Sequence, residues 1–119
     1  MKKTVVLGAS PNPSRYSNQA VKRLVASNIE TVPVGVRKGE IEGIDILTET
    51  PFIEDVHTIT LYLNPTRQKA YYDYILGLKP KRIIFNPGTE NPELIHLATA
   101  QNIEAEIACT LVLLAVNEY

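Results

Sequence analysis

Four short segments carry side chains able to hold a phosphate group. The first runs Gly8-Ala9-Ser10-Pro11-Asn12-Pro13-Ser14-Arg15-Tyr16-Ser17-Asn18, between an apolar run and an amphipathic one. Gly8 permits a sharp turn that brings backbone N–H groups close to an anion. Ser10, Ser14 and Ser17 add hydroxyl donors, and Arg15 adds a charged, bidentate one. The helix expected next presents its positive dipole end to the same place. The same residues also suit an ordinary strand-to-helix loop with a solvated arginine and a serine cap.

The second segment is Val34-Gly35-Val36-Arg37-Lys38-Gly39. A dinucleotide fingerprint of the G-x-G-x-x-G kind is absent, because Ser10 and Pro13 stand where its second and third glycines belong. The acidic residue that grips the ribose hydroxyls of NAD after the second strand is also missing. Arg37 and Lys38 stand there instead, and two cations attract a ribose phosphate that a carboxylate would repel. Coenzyme A carries such a phosphate on its 3′ oxygen and NADP on its 2′ oxygen. A solvated basic turn is the plainer alternative.

Asn64-Pro65 and Asn86-Pro87-Gly88-Thr89-Glu90 complete the set. Pro65 offers a flat apolar face to an adenine or a pantetheine arm, and Gly88 allows close backbone approach. Asn64 also has a structural role open to it as a helix cap. Cys109 is expected near the same edge, as a small buried hydrophobe or a thiol activated by a helix start. His57 is expected on the opposite edge and His96 mid-helix, and neither has metal-ligand or triad spacing with other residues. No catalytic or metal-binding residue is therefore assigned.

The elements that must position these loops alternate short β-branched runs with amphipathic stretches, the pattern of a parallel sheet with crossover helices. Strands are expected at Thr4–Leu7, Thr31–Val34, Thr58–Leu63, Arg82–Phe85 and Ile103–Ile107. Helices are expected at Ser17–Ser27, from Asn64 to a left-handed stop at Gly77, from Asn91-Pro92 to Gln101-Asn102, and over Thr110–Asn117. Ala20, Val21, Leu24 and Val25 share one face of the first helix. The 40–55 segment is the least regular, with a short strand at Ile46-Leu47 and a short helix from Thr50-Pro51. The fold class is α/β, a Rossmann-like doubly wound sheet of five parallel strands with helices on both faces. Right-handed crossovers favour the order 3-2-1-4-5. Ligands of such sheets sit beyond the carboxyl ends of the strands, which is where all four segments fall.

The chain has 119 residues, enough for one domain spanning 1–119 and its own core. One cysteine excludes an internal disulfide and fits a reducing compartment. A net charge of -1 with both signs mixed gives no field toward nucleic acid or an anionic membrane. Val5-Val6-Leu7 is shorter than the roughly 7–15 apolar residues of a secretory leader. Leu111–Val116 is far short of the roughly 20 needed to span a bilayer and reads as a buried last helix. The expected location is the cytoplasm.

Gly8-Ala9-Ser10-Pro11, Arg15 and Ser17, then Val32-Pro33-Val34 before a basic turn, Ile41-x-Gly43, and Asn86-Pro87-Gly88-x-Glu90-Asn91 together resemble the small bacterial CoA-binding domain proteins. These are similar to the nucleotide-binding domain of the succinyl-CoA synthetase alpha subunit. The resemblance runs from about Val5 to Cys109 and implies coenzyme A lying across the sheet edge. By position it carries binding to Gly8, Ala9, Ser10, Arg15 and Ser17, to Val34, Arg37 and Lys38, and to Asn64, Pro65 and Gly88. Gly35 departs from the asparagine of many members. The Asp-Arg before the cysteine and the histidine after it are replaced around Cys109. The phosphorylated histidine of the synthetase belongs to a different domain, so no ligase activity is implied. The leading expectation is a binding module for coenzyme A or an acyl-CoA, acting as carrier, sensor or regulator without chemistry of its own. The alternatives are an NADP-dependent or other nucleotide-using enzyme and a subunit of a larger acyl-CoA enzyme. The partner expected is a small-molecule nucleotide, with homo-oligomer or partner-subunit assembly left open.

Overall fold

The computed structural model describes residues 2–119. Its chain order is β1 (Thr4–Leu7), α1 (Tyr16–Ala26), β2 (Thr31–Val34), β3 (Glu40–Ile41), β4 (Ile44–Asp45), β5 (Thr58–Leu61), α2 (Pro65–Gln68), α3 (Tyr72–Gly77), β6 (Arg82–Phe85), α4 (Pro92–Thr99), β7 (Glu104–Ile107) and α5 (Thr110–Ala115). A 3-10 turn at Lys69–Tyr71 joins α2 to α3. β1, β2, β5, β6 and β7 form one parallel sheet, and β3 and β4 form a separate hairpin.

Every residue of β1, β5 and β6 is buried, because helices cover both faces. Val5, Leu7, Ile59 and Leu61 pack with Ile75, Leu94 and Ala98 of α3 and α4 on one face. Val6 packs with Val21 and Leu24 of α1 on the other, where Leu114 of α5 joins them. Each such fully buried aliphatic side chain contributes about 1.5–3 kcal/mol relative to exposure. The sheet is thus doubly wound, as the alternating pattern foretold.

Strand order differs in one respect. The five strands lie in the order β2-β1-β5-β6-β7, so counting along the chain the third strand adjoins the first rather than the second. The physical reason is Pro33. Its carbonyl accepts from the Leu47 N–H at 3.0 Å on the outer side of β2. In a parallel strand the nitrogen of that residue faces the same way, and proline has no hydrogen to offer a full ladder there. β2 is therefore an edge strand, carrying only the single parallel bridge Val34–Leu47. Counted as a rudimentary third strand, Leu47 turns the order into 3-2-1-4-5-6, the expected arrangement with one strand more.

Three smaller expectations also change. Gly77 ends α3 without left-handed backbone; Lys79, at φ 50, makes the stop, and Pro80 behind it bars another turn. Thr50-Pro51 starts no helix, and Thr50 is itself left-handed at φ 44. The last helix is only partly buried: Thr110 at its start is buried against Thr60 and Asn86, but Val112 and Val116 are more than half exposed, because α5 packs along α1 on one side.

At the amino edge, Arg82 is buried, with its guanidinium 4.5 Å from the Tyr119 ring centroid and 3.2 Å from Glu106. His57, beside it, hydrogen-bonds Thr58 through Nδ1. Burial, then the charges of Arg82, Lys2 and Lys81, hold its pKa below the usual 6.5. The unfolded chain therefore takes up a proton first, and this contribution to stability is lost as pH falls from about 6.5 through the folded value. Urea titrations at about pH 7 and pH 5 should show a smaller stability loss for His57→Gln than for the unaltered chain. An identical loss in both would contradict the assignment.

Candidate functional site

The order of strand addition reverses at β1, since α1 carries the chain outward to β2 and the next connection returns it to β5 on the other side. At that switch point, beyond the carboxyl ends of β1, β2 and β5, lies a cavity of about 450 Å³. This is within the range of roughly 300–1,000 Å³ that small-molecule sites occupy. Its walls come from three loops. Gly8, Ala9, Ser10, Asn12, Arg15, Tyr16 and Ser17 follow β1; Gly35, Val36 and Arg37 follow β2; Tyr62, Leu63, Arg67 and Tyr71 follow β5.

The first two loops touch backbone to backbone. Gly8 and Ala9 both donate to the Val34 carbonyl at 2.9 Å, so any amides that the turn at Gly8 turns toward a ligand belong to later residues. Gly8 instead lets β1 pass β5: at φ +97 a Cβ there would lie 2.8 Å from the Tyr62 carbonyl oxygen. A Cβ on Gly35 would lie 2.2 Å from the Ala9 oxygen, and one on Gly39 2.7 Å from Pro11. That contact explains why this chain has no asparagine at position 35. Val34 itself is buried and serves through its carbonyl.

The first loop is braced from within. Asn18, almost fully buried, donates Nδ2 to the Ser10 carbonyl at 2.9 Å, and its Oδ1 has no partner. Asn12 receives both the Ser14 N–H and its hydroxyl, so Ser14 is turned away from the cavity. The Ser10 oxygen accepts from the Asn12 N–H at 3.1 Å and keeps its own proton to donate. No side chain caps α1; the Arg15 N–H bonds the Asn12 carbonyl and the Asn18 N–H the Arg15 carbonyl, which leaves the amides of the cavity-lining Tyr16 and Ser17.

Arg15, Arg37 and Arg67 all line the cavity, and no carboxylate does. Among the described residues the ion pairs are Lys3–Glu30 and Arg82–Glu106, so none of the three arginines is paired. Tyr62 adds no negative charge, since burial pushes its hydroxyl up to about 12.

The other sequence candidates are placed apart. Lys38 lines a neighbouring groove with Asp45 and Glu49, so the Arg37-Lys38 pair splits between two surfaces. Asn64 caps α2 by accepting the Arg67 N–H at 2.9 Å, and Pro65 is its first residue. Gly88 makes a turn at φ 90 and donates to Glu90, outside the cavity wall. Cys109 is half-buried at the start of α5. Arg67, Tyr62, Leu63 and Tyr71 were missed by sequence reasoning. The missed signal was spacing: Arg67 and Tyr71 stand four residues apart behind a capped start.

The CoA binding domain family matches residues 2–115. The chain belongs to this family. No curated protein matches it. A crystal structure of an uncharacterised protein is 51% identical, with a TM-score of 0.98 over 100% of this chain and 98% of that one. A conserved hypothetical protein from Pyrococcus furiosus is 26% identical, with a TM-score of 0.81 over 94% of this chain and 98% of the other. A Thermus thermophilus protein at 19% identity shares the fold, with a TM-score of 0.86 over 99% of this CoA-binding-family chain and 91% of its own. No helix among the described residues is long and apolar enough to cross a membrane.

The glycine contacts give a graded test. Gly35→Ala should lower unfolding stability by about 2–4 kcal/mol, as expected when a new side chain meets fixed backbone. Gly88→Ala, with open space around its Cβ, should lose only the roughly 1–2 kcal/mol of a left-handed residue. Urea unfolding measures both, and equal losses would contradict the close approach at Ala9.

Proposed function

We propose that this chain binds coenzyme A or an acyl-CoA in the cavity beyond β1, β2 and β5, as a module without chemistry of its own. The observation that carries the reading is the set of three unpaired arginines on one wall system free of carboxylates. Coenzyme A bears a pyrophosphate and a ribose phosphate, so its charge suits that set. The Ser10 hydroxyl, Ser17 and the uncapped start of α1 supply uncharged donors beside Arg15. Val36 and Leu63 supply apolar surface for the adenine or the pantetheine arm.

The same lining supports the reading of a module without chemistry. It contains no histidine, carboxylate or thiol, and the buried Tyr62 hydroxyl stays protonated near neutral pH. Nothing in the wall is matched to proton transfer there. Carrier, sensor and regulatory roles all fit such a site, and family membership supports coenzyme A over other nucleotides.

Isothermal titration with coenzyme A, NADP and NAD tests the reading. Coenzyme A should bind well ahead of the other two; tight NADP binding with coenzyme A silent would overturn it. Arg37→Ala should weaken coenzyme A by about 10–100-fold, the worth of a charge-assisted contact, while leaving dephospho-coenzyme A nearly unchanged. Lys38→Ala, on the neighbouring groove, should change either ligand by less than about 3-fold. Equal losses for both ligands in Arg37→Ala would refute the ribose-phosphate role.

A further inference from the structure

We propose that Arg67 reads the second phosphate of a pyrophosphate bridge, and so sets the preference of the cavity for a 5′-diphosphate over a 5′-monophosphate nucleotide. The inference rests on the reading above, and deepens it by giving each arginine a separate task.

The first ground is order along the rim. Arg37, Arg15 and Arg67 follow β2, β1 and β5, which are neighbours in that order. Adjacent strands lie roughly 4.8 Å apart, so the ends of β2 and β5, from which the outer two of these loops leave, are roughly 10 Å apart. Cations carried on three neighbouring loops match a series of anionic groups better than one compact phosphate. With the ribose phosphate at Arg37 and the first bridge phosphate at Arg15 and the start of α1, the next group falls toward Arg67.

The second ground is the rigidity beneath Arg67. Its side chain is exposed, but its backbone N–H is held by the Asn64 cap at 2.9 Å. Gln68, the next residue, is completely buried. Its Nε2 donates to the Leu63 carbonyl at 2.7 Å and the Thr89 carbonyl at 2.8 Å, and its Oε1 accepts from Asn91 at 2.8 Å. The peg carrying the guanidinium is thus tied to the loop after β5 and to the loop before α4. Less ordering is then required when an anion arrives. Tyr71, four residues on, lines the same cavity.

The third ground is the lack of any competing partner. Arg67 has no ion pair among the described residues and lines a cavity whose other charges are both positive.

The test uses two ligands that differ by one phosphate: adenosine 3′,5′-bisphosphate and 3′-phosphoadenosine 5′-diphosphate, titrated beside coenzyme A. The unaltered chain should favour the diphosphate about 10-fold or more. Arg67→Ala should erase that preference, weaken coenzyme A about 10–100-fold, and leave the bisphosphate within about 3-fold. Arg67→Lys should restore part of the preference, and an unchanged urea midpoint checks that the exposed substitution leaves the fold intact. Equal loss for bisphosphate and diphosphate would overturn the inference, since Arg67 would then act as general attraction. Loss confined to coenzyme A would also overturn it, by moving Arg67 to the pantetheine arm. If the unaltered chain bound none of the three, the reading of the cavity itself would fall, and the inference with it.

Discussion

The Val34 carbonyl receives two N–H groups, from Gly8 and Ala9, and the next residue packs its bare Cα against the Ala9 carbonyl. This backbone-to-backbone contact joins the loop after β1 to the turn after β2, and the geometry of the rim depends on it. A side chain at position 35 would force the loops apart, since real Cβ atoms do not approach oxygen to 2.2 Å. Arg15 and Arg37 would separate with them. A few residues farther out the two loops meet again, with the ring of Pro11 against Gly39.

From that joint the electrostatics follow. The chain has a net charge of -1, so long-range attraction cannot bring a polyanion to it. The positive field is local, built by three arginines whose mutual repulsion is relieved by water and salt over a Debye length of about 8–10 Å. Binding an anion removes that repulsion and supplies the missing partners together. The supports are uncharged hydrogen bonds: Asn18 beneath Ser10, Asn64 and Gln68 beneath Arg67. Such bonds fix the cations in place without neutralising them, as an ion pair would.

Much of this was legible in the sequence. All five long strands were located to within two residues; β1, β5 and β6, buried on both faces, leave largely apolar or β-branched runs, whereas β7 alternates glutamates with apolar residues. Asn64-Pro65 and Asn91-Pro92 announced the starts of α2 and α4 through cap chemistry that is local by nature. Strand order was less legible, although Pro33 carried the information: a residue without an N–H belongs on an edge. The loops after β1 and β2 were found by their composition. Arg67 was not, because an arginine in a short polar helix reads as solvated until the sheet order brings β5 beside β1. Lys38 shows the converse, since adjacency in sequence to Arg37 does not survive a turn that faces two grooves. The exposed α5 was misread for a related reason: an apolar run shows what a helix is able to bury, and the neighbours decide what it does bury.

The claim that three separate arginines converge on one polyphosphate is tested most directly by a crystal structure of the chain with coenzyme A bound. Phosphate density should lie within hydrogen-bonding distance of Arg15, Arg37 and Arg67, between the ends of β2 and β5. Phosphates seated instead in the groove of Lys38, Asp45 and Glu49, or at the amino edge beside Arg82, would contradict the account.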